Sequence, residues 1–485
     1  MEVSIAKKIN QILKHGLIYG LTSSLQSLLG FILLPILTSY YTTEEFGVYS
    51  LLLIMGSFAS AVFYLGASSA LGRYYYEEDS QKYRGDIISS AIQITGFGAI
   101  LLIVLSTLFS DYISSIAFNT EVYSLHVRLA FYGVAFTFLL NLLTLVLRYD
   151  NLSRIFFMIS IFGVVLNFLI TFILLAKYDY GIKAPLIGFL SANVTCFLLL
   201  SLYIRKYLSF NLNLKYLKVL LKFGIPTLIS GLLFYILDLA DRFIIKSLLS
   251  TASVGIYSLG YKIGSLINVV LIMPFGLIWA PMRMKNANNL NATRILMVKV
   301  TSYFFITGFI IILMAMLFSR NLMPIFFKKK EFQESVQIVP IIIIGIFLFG
   351  LQNILDFGIN YYKKLHYYII TSIIGIIFNV VVNYTFIPIF GYKAAAYGTM
   401  FTYLLTTTLI FLFSSRFFKV SLEWRRLAIP TLALVLILFA FNFYPYFFDS
   451  LMWSIAMFFL TLFLLYKFWL TNNERLTINR ILTIK

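Results

Sequence analysis

The sequence predicts an all-α membrane protein with about fourteen spanning helices, in two six-helix bundles followed by two further helices. Three observations support this. The 485 residues are 60% hydrophobic and only 12% charged, with a mean hydropathy of +0.91, whereas a soluble protein carries about twice that charge. Apolar runs of roughly 20 residues, the length that crosses a bilayer, recur along the whole chain. Two distant stretches also repeat one pattern.

The apolar runs define the predicted spans in order, with turn residues at many of the joints between them. Such breakers lie at 179–181, 286–291 and 388–391. The predicted spans are 16–39, 46–70, 87–110, 123–147, 155–176, 182–204, 224–246, 254–280, 295–318, 335–360, 367–388, 392–414, 425–445 and 450–470.

The lysines and arginines fall on alternate loops and so give an orientation. One side carries 27 of them, the other eight, and three lie inside helices, which accounts for all 38. By the positive-inside rule, the rich side is cytoplasmic and both termini lie there. The basic loop Lys328–Lys330 is the exception on the outer side, and either plain solvation or an acidic partner accounts for it.

Composition and motifs exclude several classes of function. The net charge of +19 follows the alternation of loops, so nucleic acid is not an expected partner. Cys196 is the single cysteine and the three histidines are scattered, so neither a disulfide nor a metal site is expected. No phosphate-binding glycine loop or nucleophile elbow occurs, and no connection exceeds about twenty residues. We therefore expect neither an enzyme nor an organic cofactor.

The repeated pattern is a parallel duplication. Gly47-Val-Tyr-Ser-Leu51 matches Gly255-Ile-Tyr-Ser-Leu259, 208 positions on, and the match returns at Asn167 and Asn379. Six predicted helices separate the copies, so both enter the membrane from the same side. Duplicated bundles with the substrate path between them are typical of transporters that work by alternating access. The predicted domains are an amino-terminal bundle at 1–205, a cytoplasmic linker at 206–223, a second bundle at 224–415, and two extra helices with a cytoplasmic tail at 416–485.

Ionisable residues within spans are costly and therefore mark candidate sites. The seventh predicted helix holds Asp238, Asp241 and Arg242, and Lys262 in the eighth lies at a similar depth. Two interpretations stay open. These residues form a salt-bridge network that joins the two helices, or the two cations bind an anionic substrate while an aspartate takes up a coupling proton or sodium ion.

Each half also carries a polar stripe at helical spacing. In the tenth predicted helix it comprises Gln352, Asn353, Asp356 and Asn360. In the fourth it comprises Asn141, Thr144 and Arg148. Such a stripe either faces a polar lumen or joins helices by hydrogen bonds, and Asp356 is a third candidate for the coupling carboxylate. Arg148 and Arg128, near opposite ends of the fourth helix, are substrate cations or interfacial anchors.

Several segments resemble the Wzx-type flippases of O-antigen and capsule repeat units. Leu34–Ser50 resembles the first hairpin of that family, and Asn379–Ala396 its eleventh-to-twelfth junction. Phe223–Pro226, Asp238–Ile245 and Gly255–Ile263 resemble its seventh and eighth helices. The family lies within the superfamily of the lipid II flippases and the MATE drug exporters, and the resemblance covers nearly the whole chain.

The resemblance implies movement of a polyprenyl-diphosphate-linked oligosaccharide to the outer leaflet of the bacterial cytoplasmic membrane, with polymerase or assembly proteins as partners. Sugars and a diphosphate cannot cross about 30 Å of hydrocarbon unaided. A polar lumen whose cations donate hydrogen bonds to the phosphate oxygens would allow the cargo to cross. The candidate cations are Arg242, Lys262, Arg148 and Arg128. A MATE-like drug exporter and a lipid II flippase are the alternatives.

Overall fold

The computed structural model describes residues 2–205, 213–286, 289–444, 446–471 and 474–475. Within these ranges, the side chains of 2–19, 21, 229–231, 234, 238, 280–281 and 284–286 are not described. The described residues form helices and short connections, without a strand. This architecture confirms the predicted all-α fold class.

The helices follow one another with short joints. The first nine are α1 (Glu2–Tyr40), α2 (Thr43–Phe63), α3 (Ala67–Tyr74), α4 (Gln81–Phe118), α5 (Ser124–Tyr149), α6 (Ser153–Ala176), α7 (Lys183–Ile204), α8 (Leu214–Leu248) and α9 (Thr251–Gly264). After a π-helical turn at Asn268–Ile272 come α10 (Met273–Asn286), α11 (Leu290–Phe326), α12 (Lys330–Gln333), a 3-10 turn at Glu334–Gln337, α13 (Val339–Leu355) and α14 (Phe357–Tyr361). The last are α15 (His366–Phe390), α16 (Tyr392–Phe417), α17 (Trp424–Phe443), α18 (Tyr446–Asp449) and α19 (Leu451–Phe468).

Among the described residues, twelve helices are long and apolar enough to cross a membrane. The number is thirteen if Lys330–Gln337 and Val339–Leu355, which meet at a bend of 44°, form one span. The predicted seventh span falls in α8, which has 35 residues but whose side chains are only partly described. Each of the fourteen predicted spans therefore coincides with a helix or with a broken pair of helices.

Local sequence fixes the hairpin between α1 and α2. The Thr42 side chain accepts a hydrogen bond from the Glu45 backbone, and the Glu45 carboxylate accepts one from the Thr42 backbone, which is a capping box. The adjacent Tyr41 is buried, and its hydroxyl donates to the Gly181 carbonyl at 2.8 Å. The first hairpin is thereby tied to the turn between α6 and α7.

The chain forms two compact units, which are described separately below. The first comprises Met1–Ser258 with Ser372–Ala395, and the second Leu259–Thr371 with Ala396–Lys485. In the first unit α8 packs against α2, α3 and α4. The two units do not follow the boundaries predicted from the duplication, and the predicted domains remain a prediction about the repeat.

Within the first unit, the two copies of the repeated glycine motif pack against each other. A Cβ added to Gly47 would collide with the Thr251 carbonyl, and one added to Gly255 would collide with the Thr43 carbonyl. The contact is reciprocal, as in an interface with two-fold symmetry. The motif repeated in the sequence is therefore a place where α2 and α9 approach each other at the backbone.

In the second unit, α11 packs against α13, α17, α18 and α19. The segment after α19 is held by Glu474. Its carboxylate accepts hydrogen bonds from the Tyr303 hydroxyl at 2.6 Å, from the Arg426 guanidinium at 2.7 Å and from the Thr471 backbone at 2.8 Å. These bonds connect the carboxyl-terminal segment to α11 and α17.

The anchoring by Glu474 is expected to depend on pH. Burial raises the pKa of this carboxyl, but the hydrogen bonds from Tyr303 and Arg426 outweigh burial and lower it from 4.5 to about 2. Because the folded pKa lies below the ordinary one, the anchoring is fully present above pH 4.5 and is lost as the pH falls towards 2. Glu474→Gln should therefore raise amide hydrogen exchange at residues 469–471 and 474–475 at pH 7, whereas Glu78→Gln, in an exposed loop, should not. Unchanged exchange in Glu474→Gln would contradict this anchoring.

Candidate functional site

A buried carboxylate in the first unit brings three helices together. Asp241 and Arg242 in α8 are only 2% and 3% exposed. The Tyr257 hydroxyl of α9 donates to Asp241 Oδ2 at 2.8 Å, and the Asn383 amide of α15 donates to Oδ1 at 2.7 Å. The Arg242 guanidinium lies 5.3 Å from the centre of the Tyr257 ring, within the range of a cation–π contact.

This arrangement makes the contacts of Asp241 sensitive to its protonation. Both carboxylate oxygens accept hydrogen bonds from neutral donors. A proton on Oδ1 would turn an acceptor into a donor that faces the Asn383 amide group, so that contact would have to rearrange. Proton uptake at Asp241 can therefore change how α8 and α15 are joined.

Asn383 also extends the network along α15. Its amide donates to Asn379 Oδ1 at 3.0 Å, and both asparagines are fully buried. In the first half, Asn167 and Thr171 of α6 have the same spacing, and the Thr171 hydroxyl donates to Asn167 Oδ1 at 3.2 Å. The match of Asn167 with Asn379 in the sequence was the signal for this pair. Tyr257 lies in the repeated glycine motif, but no pattern in the sequence indicated that Tyr257 or Asn383 contacts Asp241.

Part of the cluster predicted between α8 and α9 remains a prediction. The side chain of Asp238 lies outside the described residues. Lys262 lies near the end of α9 and belongs to the second unit, whereas Asp241 and Arg242 belong to the first. The structure thus describes two members of the predicted four-residue cluster together.

A second polar site in the first unit is a cavity of about 260 Å³ among α1, α5, α6 and α7. Its polar lining includes Gln26, Asn141, Thr144, Arg148, Asn167 and Asn193. Phe156 and Phe189 contribute apolar walls, and the Arg148 guanidinium lies 4.6 Å from the centre of the Phe156 ring. Amides that both donate and accept, beside one cation, suit a ligand with hydroxyl groups and a negative charge.

Asn141 and Arg148 were both predicted from the polar stripe of the fourth helix, and the structure places them in this one cavity. Arg128 lies towards the other end of α5 and does not line it. Its Nε donates to the Ser110 hydroxyl at 2.7 Å, and its guanidinium lies 3.8 Å from the Asp111 carboxylate. These contacts are those of an anchor between α4 and α5.

The polar stripe on α13 forms hydrogen bonds between helices. Gln352 donates to Thr406 and Thr407 of α16 at 3.0 and 3.1 Å. The Asn353 backbone carbonyl accepts from the indole of Trp279 and from Arg283, both at 2.9 Å. Of the two interpretations of this stripe, the geometry favours the joining of helices.

Asp356 lies at the break between α13 and α14 and is surrounded by donors. Its Oδ1 forms an ion pair with Arg283 at 2.6 Å, while Tyr368 and Asn360 each donate to Oδ2 at 2.7 Å. Sequence reasoning assigned Arg283 to a cytoplasmic loop and so missed this partner. The sequence made Asp356 a candidate for either a coupling or a salt-bridge carboxylate, and the geometry favours the salt bridge.

Removing one partner of this ion pair should destabilise the second unit. Both side chains are mostly buried, with 13% and 11% exposed for Arg283 and Asp356, and a buried charge left alone costs about 3–5 kcal/mol. We expect Arg283→Met to lower the free energy of unfolding in detergent by this amount, and Arg283→Met/Asp356→Leu to recover most of it. Arg154→Met, at an exposed position, is the matched control. A double variant no more stable than Arg283→Met would refute the pairing.

The fold resembles several solved transporters. The structure titled lipid II flippase MurJ, inward closed conformation, has a TM-score of 0.73 and 17% identity, and the match covers 93% of this chain and 99% of that one. An inward-facing multidrug resistance MATE family transporter has a TM-score of 0.67 and 13% identity, and the match covers 84% of this chain and 95% of that one. A mutant of the Vibrio cholerae MATE transporter VcmN has a TM-score of 0.59 and 17% identity, and the match covers 85% of this chain and 97% of that one. These likenesses show the fold of the chain, which is that of solved membrane transporters.

The family itself is shown by a sequence model. The model described as "Polysaccharide biosynthesis protein" matches residues 12–287, more than half of the chain, and the protein belongs to that family. The MatE model matches residues 226–385. No curated protein matches the chain. The superfamily inferred from the sequence is thereby confirmed.

Proposed function

We propose that this protein is a Wzx-type flippase that moves a polyprenyl-diphosphate-linked oligosaccharide from the cytoplasmic to the outer leaflet of the bacterial cytoplasmic membrane. The observation that carries the proposal is the polar cavity of the first unit, lined by amides, hydroxyls and Arg148. Membership of the polysaccharide biosynthesis family and the likeness to a lipid II flippase support it. Both termini are proposed to be cytoplasmic, in accord with the distribution of basic residues.

The cavity offers what such a cargo loses on leaving water. Each sugar hydroxyl that gives up its hydrogen bonds costs several kcal/mol in an apolar medium. The amides of Asn141, Asn167 and Asn193 provide donors and acceptors for hydroxyl groups, and the planar faces of Phe156 and Phe189 suit sugar rings. Arg148 provides the cation for a phosphate oxygen. The prenyl chain stays in the hydrocarbon of the bilayer.

We assign the coupling of transport to Asp241. It is buried beside Arg242, and its hydrogen bonds to α9 and α15 change when it takes up a proton. Asp356 is assigned a structural role because its two oxygens are held by three donors. A polymerase or assembly protein that consumes the sugar outside is the proposed partner.

Mass spectrometry of lipid extracts tests the function directly. Cells that lack the gene should accumulate one polyprenyl-diphosphate oligosaccharide, and the intact gene should remove it. Arg148→Gln should restore export only in part, because the cavity keeps its hydrogen-bonding groups but loses its cation. Arg154→Gln, exposed at the start of α6, should restore it fully.

Two outcomes would favour the alternatives instead. Accumulation of lipid II would favour a lipid II flippase, the function named for the solved relative MurJ. Unchanged lipid intermediates together with altered tolerance to cationic drugs would favour a MATE-like exporter, which the MatE match at residues 226–385 makes the second candidate.

A further inference from the structure

A basic pocket lies in the second unit where α17 begins and α19 ends. Its volume is about 420 Å³, and its lining includes the four cations Arg425, Arg426, Lys467 and Arg475. The charge distribution of the loops predicts this end of the helices to be cytoplasmic. The pocket is remote in sequence from Asp241 and from the cavity beside Arg148, and the proposed transport mechanism does not use it.

One side of the pocket is a fixed frame. The Arg426 guanidinium donates to both Glu474 oxygens, at 3.2 and 2.7 Å, and lies 4.8 Å from the centre of the Trp469 ring. The Trp469 indole in turn donates to the Arg426 carbonyl at 2.9 Å. Glu474 also receives the Tyr303 hydroxyl at 2.6 Å. These contacts among Arg426, Trp469, Glu474 and Tyr303 form the frame, and within it the negative charge of Glu474 is balanced by Arg426.

The other cations carry charge that the frame does not neutralise. Arg425 and Lys467 are exposed, and the ion pairs found among the described residues bring a carboxylate to neither of them. Arg475 donates to the backbone carbonyls of Lys467 and Leu470, which keeps it at the rim without cancelling its charge. The pocket therefore has a net positive charge and presents donors suited to phosphate oxygens.

Apolar surface continues from the pocket along both helices. Leu432 and Leu436 on α17 are 64% and 69% exposed, and Phe463 on α19 is 59% exposed. On a spanning helix such side chains face the acyl chains of the bilayer. A ligand that fits this combination carries an anionic phosphate at its head and hydrocarbon below it.

We propose that this pocket binds the phosphate of an anionic membrane phospholipid, with the acyl chains lying along the exposed faces of α17 and α19. The chemistry required is a lipid phosphodiester with net negative charge, as in phosphatidylglycerol. Basic pockets between spanning helices on the cytoplasmic side recognise such head groups. The inference does not depend on the transported cargo, so it is tested independently of the proposed function.

Native mass spectrometry of the full-length protein in detergent tests this site. The probes are dioleoyl-phosphatidylglycerol and, as the neutral comparison, dioleoyl-phosphatidylcholine. Removing two charges in Arg425→Gln/Lys467→Gln should weaken phosphatidylglycerol binding roughly 10-fold to 30-fold and leave phosphatidylcholine binding unchanged. Neither side chain joins an ion pair of the frame, so the variant should remain folded.

The matched control removes the same charge elsewhere. Lys363→Gln/Lys364→Gln changes two exposed lysines between α14 and α15 and should bind phosphatidylglycerol as the wild type does. Equal losses in both double variants, or no loss in Arg425→Gln/Lys467→Gln, would overturn the proposal. Displacement of the lipid by an equal concentration of inorganic phosphate would also overturn it, since the pocket would then be a site for free phosphate.

Discussion

Asp241→Asn is expected to lower flipping by about 5-fold to 150-fold, the range of typical coupling free energies between linked sites, while the protein remains folded in the membrane. Asparagine keeps the size of the side chain and one oxygen that can accept from Tyr257, whose hydroxyl lies 2.8 Å from the carboxylate. It cannot take up a proton, and its own amide group would face the amide of Asn383. The measurement is transport of lipid-linked oligosaccharide in reconstituted vesicles, with and without a proton gradient.

Tyr257→Phe separates the charge of Asp241 from its hydrogen bond. The variant loses one neutral hydrogen bond, worth about 1 kcal/mol, but keeps the buried carboxylate and its contact with Asn383. Transport should therefore still respond to the gradient in Tyr257→Phe and should not respond in Asp241→Asn. Asp111→Asn, whose carboxylate is 60% exposed, is the control for loss of a charge alone. Gradient-dependent transport at the wild-type rate in Asp241→Asn would remove Asp241 from the coupling mechanism.

The number and type of elements were predictable because the bilayer imposes them. Backbone groups in hydrocarbon must be satisfied within the helix, so apolar length alone predicts each span. Interruptions within the spans were not predictable in this way. The π-helical turn at Asn268–Ile272 lies in a largely apolar stretch, where the packing of neighbouring helices decides the local geometry. The bend at Ile338 lies between Gln337 and Pro340, within a region predicted as one span.

The candidate sites were predictable where they contain charged residues within a span. Asp241 and Arg242 stood out because an ionisable side chain in a span is costly. Tyr257 and Asn383, which hold the Asp241 carboxylate, are neutral. Tyr257 lies in the repeated motif, but nothing in the sequence indicated that either residue contacts Asp241. Arg283 was assigned to a loop because helix length cannot be judged to a single turn, and its pairing with Asp356 needed the three-dimensional structure.

The glycine at position 47 is expected to be as sensitive as the charged sites, although its substitution by alanine adds only one methyl group. In an unobstructed helix, glycine to alanine stabilises by up to about 1 kcal/mol. At Gly47 the new Cβ would collide with the carbonyl oxygen of Thr251. This oxygen is a backbone atom, so it cannot move aside as the end of a flexible side chain could. We therefore expect Gly47→Ala to lower the free energy of unfolding in detergent by about 1–3 kcal/mol. Gly96→Ala in α4, with no neighbouring atom within 4 Å, should leave it unchanged or raise it.

The double variant Gly47→Ala/Gly255→Ala then tests whether the repeated motifs form one contact. Each glycine faces the carbonyl that begins the other's helix, Thr251 for Gly47 and Thr43 for Gly255. Once one methyl group has forced α2 and α9 apart, the second enters space that already exists, so the two losses of stability should not add. Pairing either substitution with Gly96→Ala should give additive effects, since Gly96 shares no contact with them. Additive losses at positions 47 and 255 would mean that the two glycines act at separate places, and the reciprocal packing of the duplicated segments would have to be abandoned.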